Sequence, residues 1–283
     1  MSEKNQNFYF ELSEPKKIDT LETLVSLNIQ KEYFKPGFLE RPPDRDSKVI
    51  SSTSFEFPTA YPLLGHNTSG LFRGQIRNWS LIPKCYRTLT RDKDLEEEKD
   101  SIRRYLFHKS LRGFREFCRR AESQNPDFPE LLPDRMSLAQ HFGVNTPLLD
   151  WSKNIFTAIF FAIRNVFGDK NFSNELKVFI YHIIDERLLH DKFPEEKQIM
   201  TFEHSSYLKP YAIDRRIERQ KAVFTFHPFP TNVENRVPVN VYIIDWELIE
   251  NLIDLMKGFG YTEDHFFPDY AGIADAVNSE TVL

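Results

Sequence analysis

The segment NIFTAIFFAIRNVF, residues 154–167, limits the folds open to this chain more than any other stretch. Its residues are apolar on almost every face of a helix, so a helix here has to be buried on all sides. It is too short to cross a bilayer, which requires about 20 apolar residues. The sequence therefore predicts a central helix buried inside the fold of a soluble protein.

Polar side chains stand directly before this helix, in a segment predicted to begin as a loop at residue 138. They are Gln140, His141, Thr146, Asp150 and Ser152. A buried polar group without a hydrogen-bond partner costs about 1–3 kcal/mol. These side chains therefore form either a hydrogen-bonded brace of the core or the wall of a binding site.

The remaining elements follow from hydrophobic periodicity and from the turn residues between them. Helices are predicted over 19–34, 93–122 and 246–261, and the final stretch 266–277 is predicted to be a loop followed by a short helix. Strands are predicted at the start of 70–87, which continues as an extended segment, and within 175–184, 215–228 and 237–245. Helices come early and strands late without βαβ alternation, which favours an α+β fold with a single mixed or antiparallel sheet.

The domain organisation expected from this pattern is simple. Residues 1–48 form an N-terminal extension with one helix, whose polar first 16 residues are expected to be frayed. Residues 49–283 form one domain with the helix at 154–167 at its centre. The polar opening MSEKNQNFYF does not have the pattern of a signal peptide, so we expect a cytoplasmic protein with no membrane partner.

Composition excludes several classes of protein. The chain is 40% hydrophobic, with 26 Phe and 11 Tyr, which is ample for a large core. Its net charge of −5 argues against non-specific adhesion to DNA or to anionic membranes. The basic end of the helix at 93–122 is either a solvated face or part of a nucleic-acid groove. Two distant cysteines and eight scattered histidines have no ligand spacing, so no metal site is predicted.

Two segments carry a resemblance to a known family. FRGQIRNWSLIPKCYR (72–87) and LAQHFGVNTPLLDWSKNIFTAIFFA (138–162) resemble the two signature regions of the FRG domain. RRIERQKAVFTFHP and FFPDYAGIA are similar to the last strand and tail of that family, so the likeness covers about residues 50 to 277. The chain departs from the family at Asn145-Thr146-Pro147, where Pro-Thr-Arg is usual, and at Ala222, where Gly is usual.

The order of these motifs also resembles that of arginine-first ADP-ribosyltransferases. Those enzymes have an Arg at the end of an early strand, Ser-Thr-Ser before a helix on a middle strand, and Glu-x-Glu on a late strand. The matching positions here are Phe72-Arg73-Gly74, Leu149 to Ser152, and Glu218-Arg219-Gln220. The resemblance implies an ADP-ribosyltransferase-like enzyme that uses NAD to modify a protein or nucleic acid, as a toxin or defence effector.

The same resemblance implies roles for individual residues. Arg73 would grip the pyrophosphate of NAD, since a guanidinium binds phosphate in bidentate fashion. Gly74 would let the ligand approach the backbone. The rest of the cofactor site is expected at Gln75, His141, Thr146 and Ser152. The catalytic positions are expected at Asp150, Glu218 and Gln220.

Alternatives stay open at this point. Gln220 can donate and accept hydrogen bonds but has no charge to stabilise an oxocarbenium-like transition state, which weakens transfer more than binding. A noncatalytic module that binds a nucleotide or nucleic acid is the second hypothesis, and a structural partner-binding domain is the third. Arg73 and Asp150 would then form a plain structural bridge.

Overall fold

The computed structural model describes residues 9–28, 70–90, 99–164, 176–190, 192–202, 204–211, 215–228 and 236–268. The strands of this part are β1 Phe10–Leu12, β2 Lys16–Ile18, β3 Leu71–Gln75, β4 Leu148–Ser152, β5 Lys177–Ile183, β6 Ser206–Leu208, β7 Ala222–Phe226 and β8 Val237–Asp245. The helices are α1 Leu21–Asn28, α2 Lys99–Gln124, α3 Leu132–His141, α4 Ile155–Ile163, α5 Arg215–Arg219, α6 Trp246–Gly258 and α7 Glu263–Phe266. Two short 3-10 helices lie at Lys84–Thr90 and Glu186–Leu188.

The strands form one sheet of eight in the order β1-β8-β5-β3-β4-β7-β6, with β2 also paired to β8. β1 and β2 run parallel to β8, and the other pairs are antiparallel. This confirms the predicted α+β class with a single mixed sheet. Because β3 and β4 lie at the centre of the order, residues on them are positioned by neighbours on both sides.

Helix α4 lies buried against the middle of the sheet, as its apolar sequence predicts. Phe160 is 3% exposed, and Phe161 is half-buried. The side chain of Asn154 caps the helix by accepting from the N–H groups of Phe156 at 2.8 Å and Thr157 at 3.3 Å. Such a cap is worth about 1 kcal/mol, so the start of α4 is fixed locally as well as by packing.

The contact between α4 and β3 depends on a glycine. A Cβ at Gly74 would lie 2.0 Å from the carbonyl oxygen of Ala158, so no side chain fits there. Phe72, two residues earlier on β3, packs in the same core as α4. Since successive residues of a strand point to opposite faces, Arg73 and Gln75 point to the other side of the sheet.

That other side of the sheet is covered by α2 and α3. Leu71 and Tyr181 belong to this core together with Phe107 and Leu111 of α2. The two faces of the sheet are thus both covered by apolar residues, α4, α1 and α6 on one side and α2 and α3 on the other. The polar residues Arg73 and Gln75 therefore lie at a largely apolar, helix-covered face.

The expectation that the first 16 residues are frayed is wrong for the described part of that segment. β1 pairs with Val237–Val239 and β2 with Tyr242–Ile244. Phe10 and Ile18 are each 1% exposed, so burial of two isolated apolar side chains fixes this otherwise polar segment. The helix predicted over 19–34 is observed as α1, while the rest of that range and the expected domain boundary after residue 48 lie outside the described residues.

Three local predictions are also corrected. The loop predicted at residue 138 is the last turn of α3, which begins after Leu131 with a proline in its first turn, a favoured position. Residues Lys84–Thr90 form a 3-10 helix and not an extended segment. The strand predicted over 215–228 is a helix, a turn and then β7, because α5 buries Ile217 and Lys221 turns the chain with φ 45°.

The predicted helices and strands otherwise lie close to their expected positions. The helix expected over 93–122 is α2, that over 246–261 is α6, and the strands within 175–184 and 237–245 are β5 and β8. The short helix α7 was not predicted, and the final helix expected within 266–277 falls on residues beyond 268, which lie outside the described part.

Candidate functional site

Arg73 lies where two central strands part. β3 pairs with β5 over five residues but with β4 only at Phe72 and Ser152. Just beyond that pair, Arg73 Nη1 donates to the backbone oxygen of Asp150 at 2.8 Å. This side-chain hydrogen bond joins β3 to β4 just beyond the point where their backbone pairing ends.

The Arg73 guanidinium is largely buried, and only some of its N–H groups donate hydrogen bonds to other residues. Its side chain is 17% exposed, and Nη1 lies 3.7 Å from Oδ2 of Asp150, a loose ion pair. The Gln75 amide, oriented so that its nitrogen donates to the Trp79 oxygen at 3.1 Å, accepts from Arg73 Nε at 3.2 Å. Among the described residues, none accepts a hydrogen bond from Nη2. An arginine has five N–H donors, so part of its donor set is available to a ligand.

The electrostatic surroundings favour an anion at this point. Burial lowers the pKa of the Arg73 guanidinium, the Asp150 carboxylate opposes that effect, and the positive charge of Arg87 adds to it. Arginine stays charged at neutral pH even when its pKa is lowered in this way. The Asp150 carboxylate is only loosely paired with Arg73, so a bound anion would add to the balance of charge at this guanidinium.

Asp150 is held in place by a chain of two polar side chains. Gln140 Nε2 donates to Oδ1 of Asp150 at 3.3 Å and to Oδ2 at 3.4 Å. The hydroxyl of Thr146, which is fully buried, donates to Oε1 of Gln140. The Asp150 side chain is 53% exposed. Its carboxylate, which Gln140 holds in place, therefore faces solvent beside the largely buried Arg73. The polar residues before α4 thus form a hydrogen-bonded cluster with one accessible carboxylate. We call Arg73, Gln75, Gln140, Thr146 and Asp150 the Arg73 cluster.

Ser152 and Gln220 form a separate contact. The Ser152 hydroxyl donates to the backbone oxygen of Gln220 at 2.9 Å and accepts from the N–H of Asn154 at 3.1 Å. Ser152 is buried, and its contacts join β4 to the turn before β7. Its hydroxyl is therefore committed to holding the backbone together.

Two expected site residues are not placed as the transferase pattern requires. Glu218 is exposed on α5, and Gln220 lies in the turn after it, so neither lies on a late strand. The helix forms because the RRIER segment favours helix and buries Ile217. The interpretation of this segment as a Glu-x-Glu strand is therefore wrong.

Gly74 and His141 also differ from expectation. The close approach at Gly74 comes from α4, on the face of the sheet opposite Arg73, and leaves no room for a ligand there. His141 is the last residue of α3 and is half-buried, with its ring edge-on to Phe142 at 5.3 Å. Neither the contact of Gly74 with α4 nor that of His141 with Phe142 involves a side chain of the Arg73 cluster.

The structure adds neighbours that the sequence did not single out. Tyr181 lies on β5 and pairs with Arg73 on β3. Its hydroxyl donates to Asn78 Oδ1 at 2.8 Å and to the Trp79 backbone oxygen at 3.3 Å. Burial raises the pKa of the Tyr181 hydroxyl, so it stays a donor. Trp79 is 54% exposed, which leaves an aromatic surface on the loop held by Gln75 and Tyr181. Only the register of β3 with β5 reveals this group.

A second polar chain lies deeper in the same core. Trp151 Nε1 donates to the Thr225 hydroxyl at 2.8 Å, which lies 2.6 Å from Nε2 of His227, and Nδ1 of that ring lies 3.1 Å from Ser205 Oγ. Burial lowers the pKa of His227 to about 3, so its ring is neutral. The Thr225 hydroxyl has a second lone pair as well as a proton for Nε2, so the directions of the two His227 hydrogen bonds depend on the tautomer of the ring. In either tautomer both ring nitrogens are paired within the protein, and this chain is a brace of the core.

Metal and membrane features are absent from the part of the chain that the structure describes. No group of three or more His, Cys, Asp or Glu side chains there could hold a metal ion. No described helix is long and apolar enough to cross a membrane. Cys85 and Cys118 are both buried and are not joined in a disulfide.

Comparison with known proteins gives one match. Residues 68–171 match the family model of the FRG domain. No curated protein and no solved structure matches the chain. The matched range confirms the resemblance carried by the two signature segments, and it contains every member of the Arg73 cluster.

Proposed function

We propose that this chain, which carries an FRG domain, binds NAD with the pyrophosphate on Arg73. The observation that supports this is a largely buried guanidinium whose Nη2 group has no acceptor among the described residues. A phosphate oxygen would satisfy that donor and neutralise the charge of Arg73. Losing such a charge-assisted contact costs about 2–4 kcal/mol.

The neighbouring carboxylate suits the sugar of the same ligand. Asp150 is oriented by Gln140 and faces solvent, so it can accept hydrogen bonds from a ribose hydroxyl pair. A carboxylate in this position can also stabilise the positive charge that develops on the ribose as nicotinamide leaves. Gln220 has no charge for that task, and Glu218 is exposed on α5, so the catalytic role falls to Asp150.

The corresponding activity is ADP-ribosyl transfer from NAD to a macromolecule, in the role of a toxin or defence effector. The second candidate is a noncatalytic nucleotide-binding module. It is favoured by the ion pair of Asp150 with Arg73, since a carboxylate that balances the charge of an arginine has less charge to offer a transition state. Both candidates require the same ligand contact at Arg73 and differ in turnover.

Incubation with labelled NAD tests the proposal and separates the candidates. Released nicotinamide and label on protein, DNA or RNA are measured for the wild type and for Asp150→Asn and Glu218→Gln. A transferase loses turnover in Asp150→Asn and keeps it in Glu218→Gln, and its expression slows the growth of a host cell. Binding without turnover supports the module. Turnover that Asp150→Asn leaves intact and Glu218→Gln abolishes contradicts the assignment to Asp150.

A further inference from the structure

Helix α2 carries a basic face in a chain whose overall charge is negative. Its 26 residues contain eight Lys or Arg against three Asp or Glu, whereas the whole chain has a net charge of −5. Six of the basic side chains are exposed. They are Arg104, Lys109, Arg112, Arg115, Arg119 and Arg120, which we call the α2 basic face. Lys109, Arg112, Arg115 and Arg119 follow one another at three or four residues and so lie along one side of the helix.

Few carboxylates neutralise this face. Glu116 is shared by Arg119 and Arg120, with oxygen–nitrogen distances of 2.8 and 2.7 Å, and Arg115 pairs with Glu196 at 3.3 Å. Lys109 and Arg112 form no ion pair with any residue that the structure describes. The middle of the α2 basic face therefore presents uncompensated cations to solvent.

Exposed aromatic rings lie on and beside these cations. Tyr105 is 55% exposed and stands four residues before Lys109, on the same side of the helix. Phe142 is 63% exposed and stacks on Phe117 of α2, with ring centres 6.5 Å apart. Cations beside solvent-facing rings are the combination that binds single-stranded nucleic acids, because phosphates meet the cations and bases stack on the rings.

A glycine on the same face points to close approach by a partner. A Cβ at Gly113 would meet nothing within 4 Å, so packing within the described structure does not require this glycine. A glycine inside a helix costs about 1 kcal/mol relative to alanine. Contact with another molecule at this point of the helix explains a residue that otherwise only weakens it.

Helix α2 packs through its buried side on the elements that carry the Arg73 cluster. The buried hydroxyl of Ser110 on α2 donates to the backbone oxygen of Asn145 at 2.8 Å, directly before Thr146. Helix α2 also packs on the 3-10 helix Lys84–Thr90, which carries Arg87. Phe142 lies two residues beyond Gln140. The loop that follows α3 therefore links α2 to the Arg73 cluster.

We propose that the α2 basic face binds single-stranded nucleic acid and presents it to the Arg73 cluster. Binding of nucleic acid by this face does not depend on NAD. The inference that nucleic acid is also the macromolecule that is modified rests on the proposed function. A nucleic acid fits better than a flat anionic bilayer, because a single strand has both phosphates for the cations and bases for the rings. It fits better than an acidic peptide, because the exposed rings have bases to stack on.

Fluorescence anisotropy with a labelled single-stranded DNA of about 20 nucleotides tests this proposal. Lys109→Ala with Arg112→Ala should weaken binding about tenfold or more and lower the slope of log affinity against log salt by about 1.4. Tyr105→Ala should weaken binding about 5- to 100-fold through lost stacking. The matched control is Lys16→Ala with Lys257→Ala, which removes the same charge from exposed positions outside α2 and leaves affinity unchanged.

Other outcomes overturn the proposal. One is that the protein does not bind the oligonucleotide at low salt. Another is that the α2 double variant and its control bind the oligonucleotide equally. A third is that the protein binds polyglutamate or phosphatidylserine vesicles as tightly as the oligonucleotide. Arg73→Ala should leave the affinity for the oligonucleotide intact, and the α2 double variant should leave the affinity for NAD intact. Failure of one proposal is therefore visible while the other stands.

Discussion

Replacement of Gly74 by alanine tests the packing of the central helix on the sheet. The added Cβ would lie 2.0 Å from the oxygen and 2.7 Å from the carbon of the Ala158 carbonyl, and 3.0 Å from Ala162 Cβ. Reaching an ordinary contact distance of 3.4 Å from that oxygen requires α4 and β3 to separate by about 1.4 Å. Because the obstacle is backbone of a helix buried on nearly all sides, no side chain can rotate away to relieve it.

Overpacking of a core by one methyl group usually costs about 1–3 kcal/mol, and a clash with backbone belongs at the upper end. We expect Gly74→Ala to lower the free energy of unfolding by about 3 kcal/mol and Tm by about 6–12 °C. The matched control is Gly113→Ala, which adds the same methyl group in open space on α2 and should stabilise by about 0.5–1 kcal/mol. Urea unfolding followed by circular dichroism measures both. If Gly74→Ala lies within about 0.5 kcal/mol of the wild type, the described contact between α4 and β3 is wrong.

Two further predictions concern buried histidines. Burial lowers the pKa of His182 from 6.5 to about 4, so its neutral ring is favoured in the folded state and stability is lost as the pH falls from 6.5 towards 4. In urea titrations at each pH, His182→Leu should lose about 3 kcal/mol less over this range than the wild type, in which His227 contributes a loss of its own, and the exposed control His204→Gln should lose as much as the wild type. Thr225→Val should cost about 2–4 kcal/mol by leaving the Trp151 N–H and a nitrogen of His227 without partners, whereas Thr225→Ser should cost under about 1 kcal/mol. Equal stability of the valine and serine variants would contradict the described chain.

The elements that the sequence predicted well are those whose own residues determine them. α4 is apolar on nearly every face, and β5 and β8 are rich in β-branched and aromatic residues, so their burial follows from local sequence. β1 and β2 have three residues each and are stabilised by pairing with β8, more than 200 residues away, and by the burial of Phe10 and Ile18. No local pattern marks such strands, since the partner is distant in the chain.

Part of the candidate site could also be predicted from the sequence. The proximity of Arg73 and Asp150 was anticipated as either a bridge or a ligand contact, and the structure joins the two residues. The opposite orientation of Gly74 follows from strand alternation, a signal that the sequence contains. The turn at Lys221, with φ 45°, is a tertiary feature that separates Glu218 and Gln220 from β7, and it has no signal in residue type.

Calorimetric titration of NAD into the wild type and Arg73→Ala tests the proposed ligand contact most directly. The control variant Arg77→Ala removes an exposed arginine from the loop after β3. We expect saturable binding by the wild type and the control, with a Kd below about 1 mM, and binding about 30- to 1000-fold weaker in Arg73→Ala. Wild-type protein that binds no NAD at millimolar ligand, or Arg73→Ala that binds as tightly as the wild type, would contradict the assignment of Arg73 as the pyrophosphate contact.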